Sequence, residues 1–293
     1  MADIPTASPR LKTAFVLAGG GSLGAVQVGM LKALAEQDVT ADMVVGSSAG
    51  AINAAYYAGR PDSAGVVELE RLWLTTKRRD IFKFNFKTLT RLVIRRDFLL
   101  SADGLQTLIE RHLPYARLED ARIPVYIVTT NFLSGEIVVH SSGPAARAVV
   151  ASCAIPAAFP TVKIDGRYLA DGGLASNTPI KIAVQKGARR LIVLPTGFSC
   201  ALRVPPSGAI VSALHGLTLL TAGQVVNELE AIDPAIEYHV VPSLCPLTTS
   251  AYDFSKTQQL IDNAAEQTRA WLAGGGLLRR EIPGSLRAHD HAH

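Results

Sequence analysis

Short apolar runs alternate along the chain with stretches whose apolar positions recur at helical spacing. Residues 12–18 (KTAFVLA), 42–48 (DMVVGSS) and 123–131 (IPVYIVTTN) read as strands, the first two apolar on both faces. A further strand at 136–140 follows the turn Ser134-Gly135. Helical spacing marks 23–37, 49–59, about 62–76 and 101–113, with Ser101 the expected N-cap of the last. The small residues of 144–155 predict a helix stopped by Pro156. Asp165-Gly166, at the centre of 162–170, predicts a tight hairpin. Pro179 opens a helix to about 186, strands follow at 189–196 and 236–242, and helices near 207–230 and 255–273 cover them. Strands apolar on both faces and separated by helices belong to a mostly parallel sheet with helices on both faces. The expected class is therefore α/β, with 12–273 as one domain, 1–11 a flexible N-terminus and 274–293 a loose tail.

Hydrophobic residues make up 48% of the 293 and charged residues 18%, which excludes a disordered or fibrous chain. The longest weakly polar run, 209–222, contains His215 and falls short of the ~18 residues that span a bilayer. Residues 1–11 carry no apolar leader core. Cys153, Cys200 and Cys245 are odd in number and far apart, with no C-x-x-C, so the sequence supports neither a disulfide framework nor a zinc site. These features lead to an expected cytoplasmic protein without metal or cofactor.

The net charge of +4 is modest, but it is uneven. Residues 77–100 hold eight Lys/Arg against Asp80 and Asp97, a net of +6, which leaves −2 for the rest. Phe82, Phe84, Phe86 and Phe98 interleave with those charges. Such a segment suits peripheral contact with an anionic membrane surface, or a cap that packs its aromatics on the core and exposes a basic face. Nucleic acid is not expected.

Two glycine-rich turns carry the chemistry. Gly19, Gly21 and Gly24 fit G-x-G-x-x-G between a strand and a helix. A dinucleotide site also needs an acid at the end of the second strand, and Gly46-Ser47-Ser48 stands there instead; no Gly-Lys-Ser/Thr makes a phosphate loop. GSSAG (46–50) matches G-x-S-x-G in the strand-to-helix context that motif requires. Gly46 and Gly50 clear a sharp turn, and Ser48 is the candidate nucleophile. Backbone amides of the Gly19–Gly20–Gly21 loop then suit the oxyanion of an acyl transfer better than a pyrophosphate. A serine needs a base. Of the seven histidines, His289, His291 and His293 fall in the tail, and none sits in a glycine-rich turn. Asp171, followed by Gly172 and Gly173, could face an open loop or simply make an Asp-Gly turn.

GGGSLGAVQVGML (19–31), GSSAGAINAA (46–55), ASCAIPAAFP (151–160) and DGGLASNTPI (171–180) occur in one order, and with them the chain resembles a bacterial patatin-like phospholipase. The resemblance implies a three-layer patatin-like fold and a Ser–Asp dyad, with Ser48 as nucleophile and Asp171 as proton acceptor. It implies an oxyanion hole from glycines 19–21 and a lipid ester substrate. Many members carry Arg or Lys where this chain has Leu23, so one positive charge near the oxyanion site is missing. Two other readings remain: a Ser–His–Asp α/β-hydrolase using His215 or His239, and a non-catalytic lipid-binding protein on the same scaffold.

Overall fold

The computed structural model describes residues 11–77, 80, 103–156, 158–202, 204–206, 208–289 and 291. Residues 1–10, most of the basic aromatic segment 77–100 and Ser101 lie outside the described residues. Eight strands form one sheet: β1 (Thr13–Leu17), β2 (Met43–Ser47), β3 (Val125–Asn131), β4 (Ile137–His140), β5 (Val162–Ile164), β6 (Arg167–Asp171), β7 (Arg190–Leu194) and β8 (Glu237–Val240). Bonded neighbours run β5-β6-β3-β2-β1-β7-β8, with β4 also on β3. The five strands from β3 to β8 in that order are parallel. β4, β5 and β6 are antiparallel to their neighbours. The β5–β6 turn is the predicted one: Asp165 and Gly166 take φ of 47° and 78°, the pair of positive values that a two-residue hairpin favours.

Alternation along the strands divides the core in two. Phe15, Leu17, Val44, Ile127 and Ile192 face one cluster, built with α1 (Gly24–Ala35), α2 (Ala49–Gly59), α3 (Ser63–Thr75), α4 (Asp103–His112), α5 (Ala145–Ser152) and α9 (Thr257–Ala273). Ala14, Val16, Val45, Val128 and Val193 face the other, built with α7 (Ile180–Gln185) and α8 (Ala209–Glu230), and the short α6 (Gly173–Ser176) follows β6. The fold is thus the expected α/β sandwich of three layers. α1 has no exposed face, and its near-uniform apolar sequence fits a helix covered on all sides. Asp62 ends its loop by accepting the Gly65 amide at 2.8 Å, which caps α3. No helix among the described residues is long and apolar enough to cross a membrane.

Two expectations need correction. The helix predicted over 144–155 stops at Ser152, where the carbonyls of Ser152 and Ala154 turn to accept the amides at the end of β6. The segment after 274 is not a loose tail where it is described: Gly276–Leu278 and Gly284–Leu286 are short 3₁₀ turns, and Leu286 is buried in the second core cluster. Beyond it, His289 Nε2 lies 3.2 Å from Cys245 Sγ, and Cys245 Sγ lies 3.9 Å from Cys200 Sγ. His289 and His291 are therefore packed, and two cysteines 45 positions apart in sequence are neighbours.

Candidate active site

The pairing of β3 brings the two candidate chemical groups together. Val128 pairs with Ser47 on one side and Val139 on the other. The next residue, Thr129, pairs with Asp171 and Val138. β4 thus follows one edge of β3, while β2 and then β6 share the opposite edge. β2 runs along β3 and β6 runs against it, so both end at the same point. Ser48 follows the last residue of β2, and Asp171 is the last of β6.

The turn after β2 lifts Ser48 out of the sheet. Ser48 takes φ 52° and ψ −124°, a strained conformation for a side chain–bearing residue, and N-caps α2. The flanking glycines fit because the backbone crowds them: a Cβ on Gly46 would run into the Gly50 carbonyl, and one on Gly50 into the Leu17 carbonyl. Ser48 Oγ donates to Asp171 Oδ2 at 2.6 Å, and the Gly173 amide donates to Asp171 Oδ1 at 2.7 Å. Both residues are 6% exposed. Burial pushes the Asp171 carboxyl up to about 6, and the hydrogen bonds from Ser48 and Gly173 restrain that rise.

The end of α5 clamps this pair, which sequence reasoning missed. The Ser48 amide donates to Ser152 Oγ at 2.9 Å, and that hydroxyl donates to the Val128 carbonyl at 2.6 Å. The Asp171 and Gly172 amides donate to the carbonyls of Ala154 and Ser152 at 3.0 and 3.2 Å. One motif, ASCA, thus grips nucleophile and acid at once. A run of small residues signalled close packing, but nothing local named its partners. Gly172 fits because a Cβ there would meet the Val128 carbonyl.

The glycine loop after β1 lines the same cleft, facing Ser48 and Asp171. Its amides differ. The Gly19 amide donates to the Asn177 carbonyl at 3.0 Å, so it is engaged and is a correction to the expected trio. The Ser22 amide donates to the Ala251 carbonyl at 2.7 Å. Gly20 and Gly21 have no amide partner among the described residues. Gly21 takes φ 58°, where a side chain would be strained and would strike the Ala251 carbonyl. Thr196 Oγ1 donates to the Gly19 carbonyl at 2.7 Å and so satisfies that oxygen. Gly24 opens α1 under Trp73 and Ala49, which leave no room for a Cβ.

A buried polar network holds the loop from behind. Gln27 Nε2 donates to the carbonyls of Ala18 and Leu194, both at 2.8 Å. Asn53 Nδ2 donates to Gln27 Oε1 at 2.8 Å and to the Gly24 carbonyl at 2.9 Å, and Trp73 Nε1 donates to Asn53 Oδ1 at 2.8 Å. An Asn53→Ala variant leaves Gln27 Oε1 and Trp73 Nε1 buried without partners, while the Gly24 carbonyl keeps its helical bond within α1. It is expected to lose about 2–4 kcal/mol of stability in urea denaturation, and a loss below about 0.5 kcal/mol would contradict the network's role.

The cleft also has an apolar wall, made by Ile155, Pro195, Leu217, Val225 and Leu286, with Tyr252 beside Asp171. Among the described residues, no histidine lines it. His239 is buried in β8, with Nε2 2.7 Å from Glu237 Oε1 and Nδ1 3.1 Å from the Arg279 carbonyl. His215 borders a neighbouring cleft. A hydroxyl bonded to a carboxylate of raised affinity for protons, beside two free amides and an apolar wall, has the parts that acyl transfer requires.

A family model described as Patatin-like phospholipase matches residues 15–184. The chain is similar to patatin-like phospholipase domain-containing protein 7 of Rattus norvegicus, 30% identical over 186 residues that cover 63% of this chain and 13% of that protein. It is similar to patatin-like phospholipase domain-containing protein 6 of Homo sapiens, 29% identical over 189 residues covering 63% and 13%. The match thus spans only 13% of the length of these curated relatives. Among solved structures, VipD from Legionella pneumophila aligns over 91% of this chain and 67% of its own at 16% identity and a TM-score of 0.48.

Proposed function

Because the chain belongs to the patatin-like phospholipase family, we propose that it is a serine lipid acyl hydrolase of the phospholipase A, lysophospholipase or esterase type. Ser48 is the nucleophile, Asp171 the base, and the Gly20 and Gly21 amides the oxyanion donors. The observation that carries this reading is the 2.6 Å hydrogen bond from Ser48 Oγ to Asp171 Oδ2. As Oγ attacks the ester carbonyl carbon, Asp171 takes its proton, and the carbonyl electron pair moves onto the oxygen facing the two amides. Asp171 then protonates the leaving alcohol. Water attacks the acyl-serine, giving its proton to Asp171, and the fatty acid leaves as Ser48 Oγ is reprotonated. A carboxylate is a weak base, and the burial that raises Asp171 to about 6 brings it closer to the task. The acyl chain lies along Leu217, Val225 and Leu286, and the basic segment 77–100 meets an anionic lipid surface.

A fluorophosphonate probe tests the reading directly. Wild type is expected to label stoichiometrically and to hydrolyse p-nitrophenyl esters across a range of acyl lengths, while Ser48→Ala does neither. Equal labelling of the two proteins would place the nucleophile elsewhere. A wild type that does not label, yet retains lipid in a flotation assay, would favour a binding protein.

A further inference from the structure

The sheet brings a second group of reactive side chains together, away from Ser48. β7 and β8 are parallel neighbours, so the loops that follow them leave the sheet side by side. Cys200 lies in the first loop and Cys245 in the second, and the C-terminal segment returns across both with His289 and His291. The ligand atoms of all four lie within 4.8 Å of one another.

From this we infer that Cys200, Cys245, His289 and His291 form a four-ligand zinc site. Zinc bonds of about 2.3 Å to sulfur and about 2.05 Å to nitrogen set tetrahedral edges of about 3.8 Å S–S, about 3.6 Å S–N and about 3.3 Å N–N. The S–S edge here is 3.9 Å and the N–N edge, His289 Nε2 to His291 Nε2, is 3.2 Å. Three S–N edges are 3.2, 3.5 and 3.3 Å, from Cys245 to each histidine and from His291 to Cys200. An S–S separation of 3.9 Å is far from a disulfide.

The surroundings fit metal-ligating groups. His289 Nδ1 lies 2.7 Å from the Arg287 carbonyl, so Nδ1 carries the proton and the Nε2 lone pair faces the cluster. The Leu247 amide donates to Cys200 Sγ at 3.4 Å, a contact that favours thiolate. Two thiolates and two neutral imidazoles balance Zn²⁺, and binding releases the two thiol protons to solvent. Four protein ligands leave no open position, so the site is structural. It ties the C-terminal segment to the two loops. Leu286, three residues before His289, forms part of the cleft wall that Thr196, four before Cys200, also lines.

The full chain, purified without a metal-affinity tag and kept reduced, is expected to carry one zinc per molecule by elemental mass spectrometry. After chelation, Co²⁺ should give thiolate charge-transfer and tetrahedral d–d absorption, which zinc then displaces. Zinc should raise the thermal midpoint of the chelated wild type and block its reaction with a thiol reagent at Cys200 and Cys245. Cys245→Ser and the His289→Ala/His291→Ala pair should each lose about 100-fold or more in zinc affinity. The double histidine change lies in the C-terminal segment and spares both core clusters. Zinc well below one per chain that neither variant reduces would overturn the site, as would a chelated, reduced wild type without tetrahedral cobalt bands.

Discussion

Asp171→Asn is expected to fold and to lose turnover of lipid esters by about 10²–10⁴-fold, the usual contribution of a positioned base. The amide keeps the shape of the carboxylate: its oxygen can still accept from the Gly173 amide, and its nitrogen can donate to Ser48 Oγ. What it cannot do is accept the hydroxyl proton. Since Ser48 Oγ and Asp171 act on one proton, the Ser48→Ala/Asp171→Asn double variant should lose about as much as the worse single variant, far less than the sum of the two losses. The loss should fall on kcat more than on KM, because the apolar wall at Leu217 and Val225 is untouched. Turnover by Asp171→Asn within tenfold of wild type, measured on a p-nitrophenyl ester, would remove Asp171 as the base.

The second large effect is with pH, and activity and stability should move in opposite directions. The base must be ionised, so kcat/KM should fall about tenfold for each pH unit below the Asp171 value of about 6. Stability reverses the sign. Burial raises the folded-state value above the ~3.9 of an unfolded aspartate, so between those limits the folded state holds more protons. The associated stabilisation is present below about 4 and is lost as pH rises through about 6. Ionised Asp171 therefore costs the folded protein on the order of 2–3 kcal/mol at neutral pH. Asp171→Asn should melt higher than wild type at pH 7, with the advantage vanishing near pH 4. A lower midpoint for the variant at pH 7, by calorimetry, would contradict this linkage.

Much of the fold was legible because its signals are local. Asp165-Gly166 specifies a two-residue turn wherever it occurs between strands, and the two-sided apolar strands 13–17 and 43–47 have to be central in a covered sheet. G-x-S-x-G marked the turn between β2 and α2 where Ser48 sits. What stayed hidden depends on contacts between distant segments. Gln27 sits in a helix that otherwise reads as plain core, and only its meeting with Asn53 and Trp73 gives the amide a role. The Gly19 amide looked equivalent to its neighbours until Asn177, 158 positions away, took it. Spacing rules for cysteine pairs look within a few residues, and Cys200 and Cys245 become neighbours only through two adjacent strands.

The end-to-end arrival of β2 and β6 on one edge of β3 gives the molecule a built-in ruler. The distance between hydroxyl and carboxylate is set by successive rungs, Val128 and Thr129, of a single strand. The turn between β3 and β4 can therefore be lengthened, shortened or redecorated without disturbing that distance, whereas the end of α5 that grips both groups cannot. A slip of β6 by one rung would turn Asp171 to the opposite face of the sheet. Evolutionary latitude in this region should thus be wide for loop length and narrow for strand register.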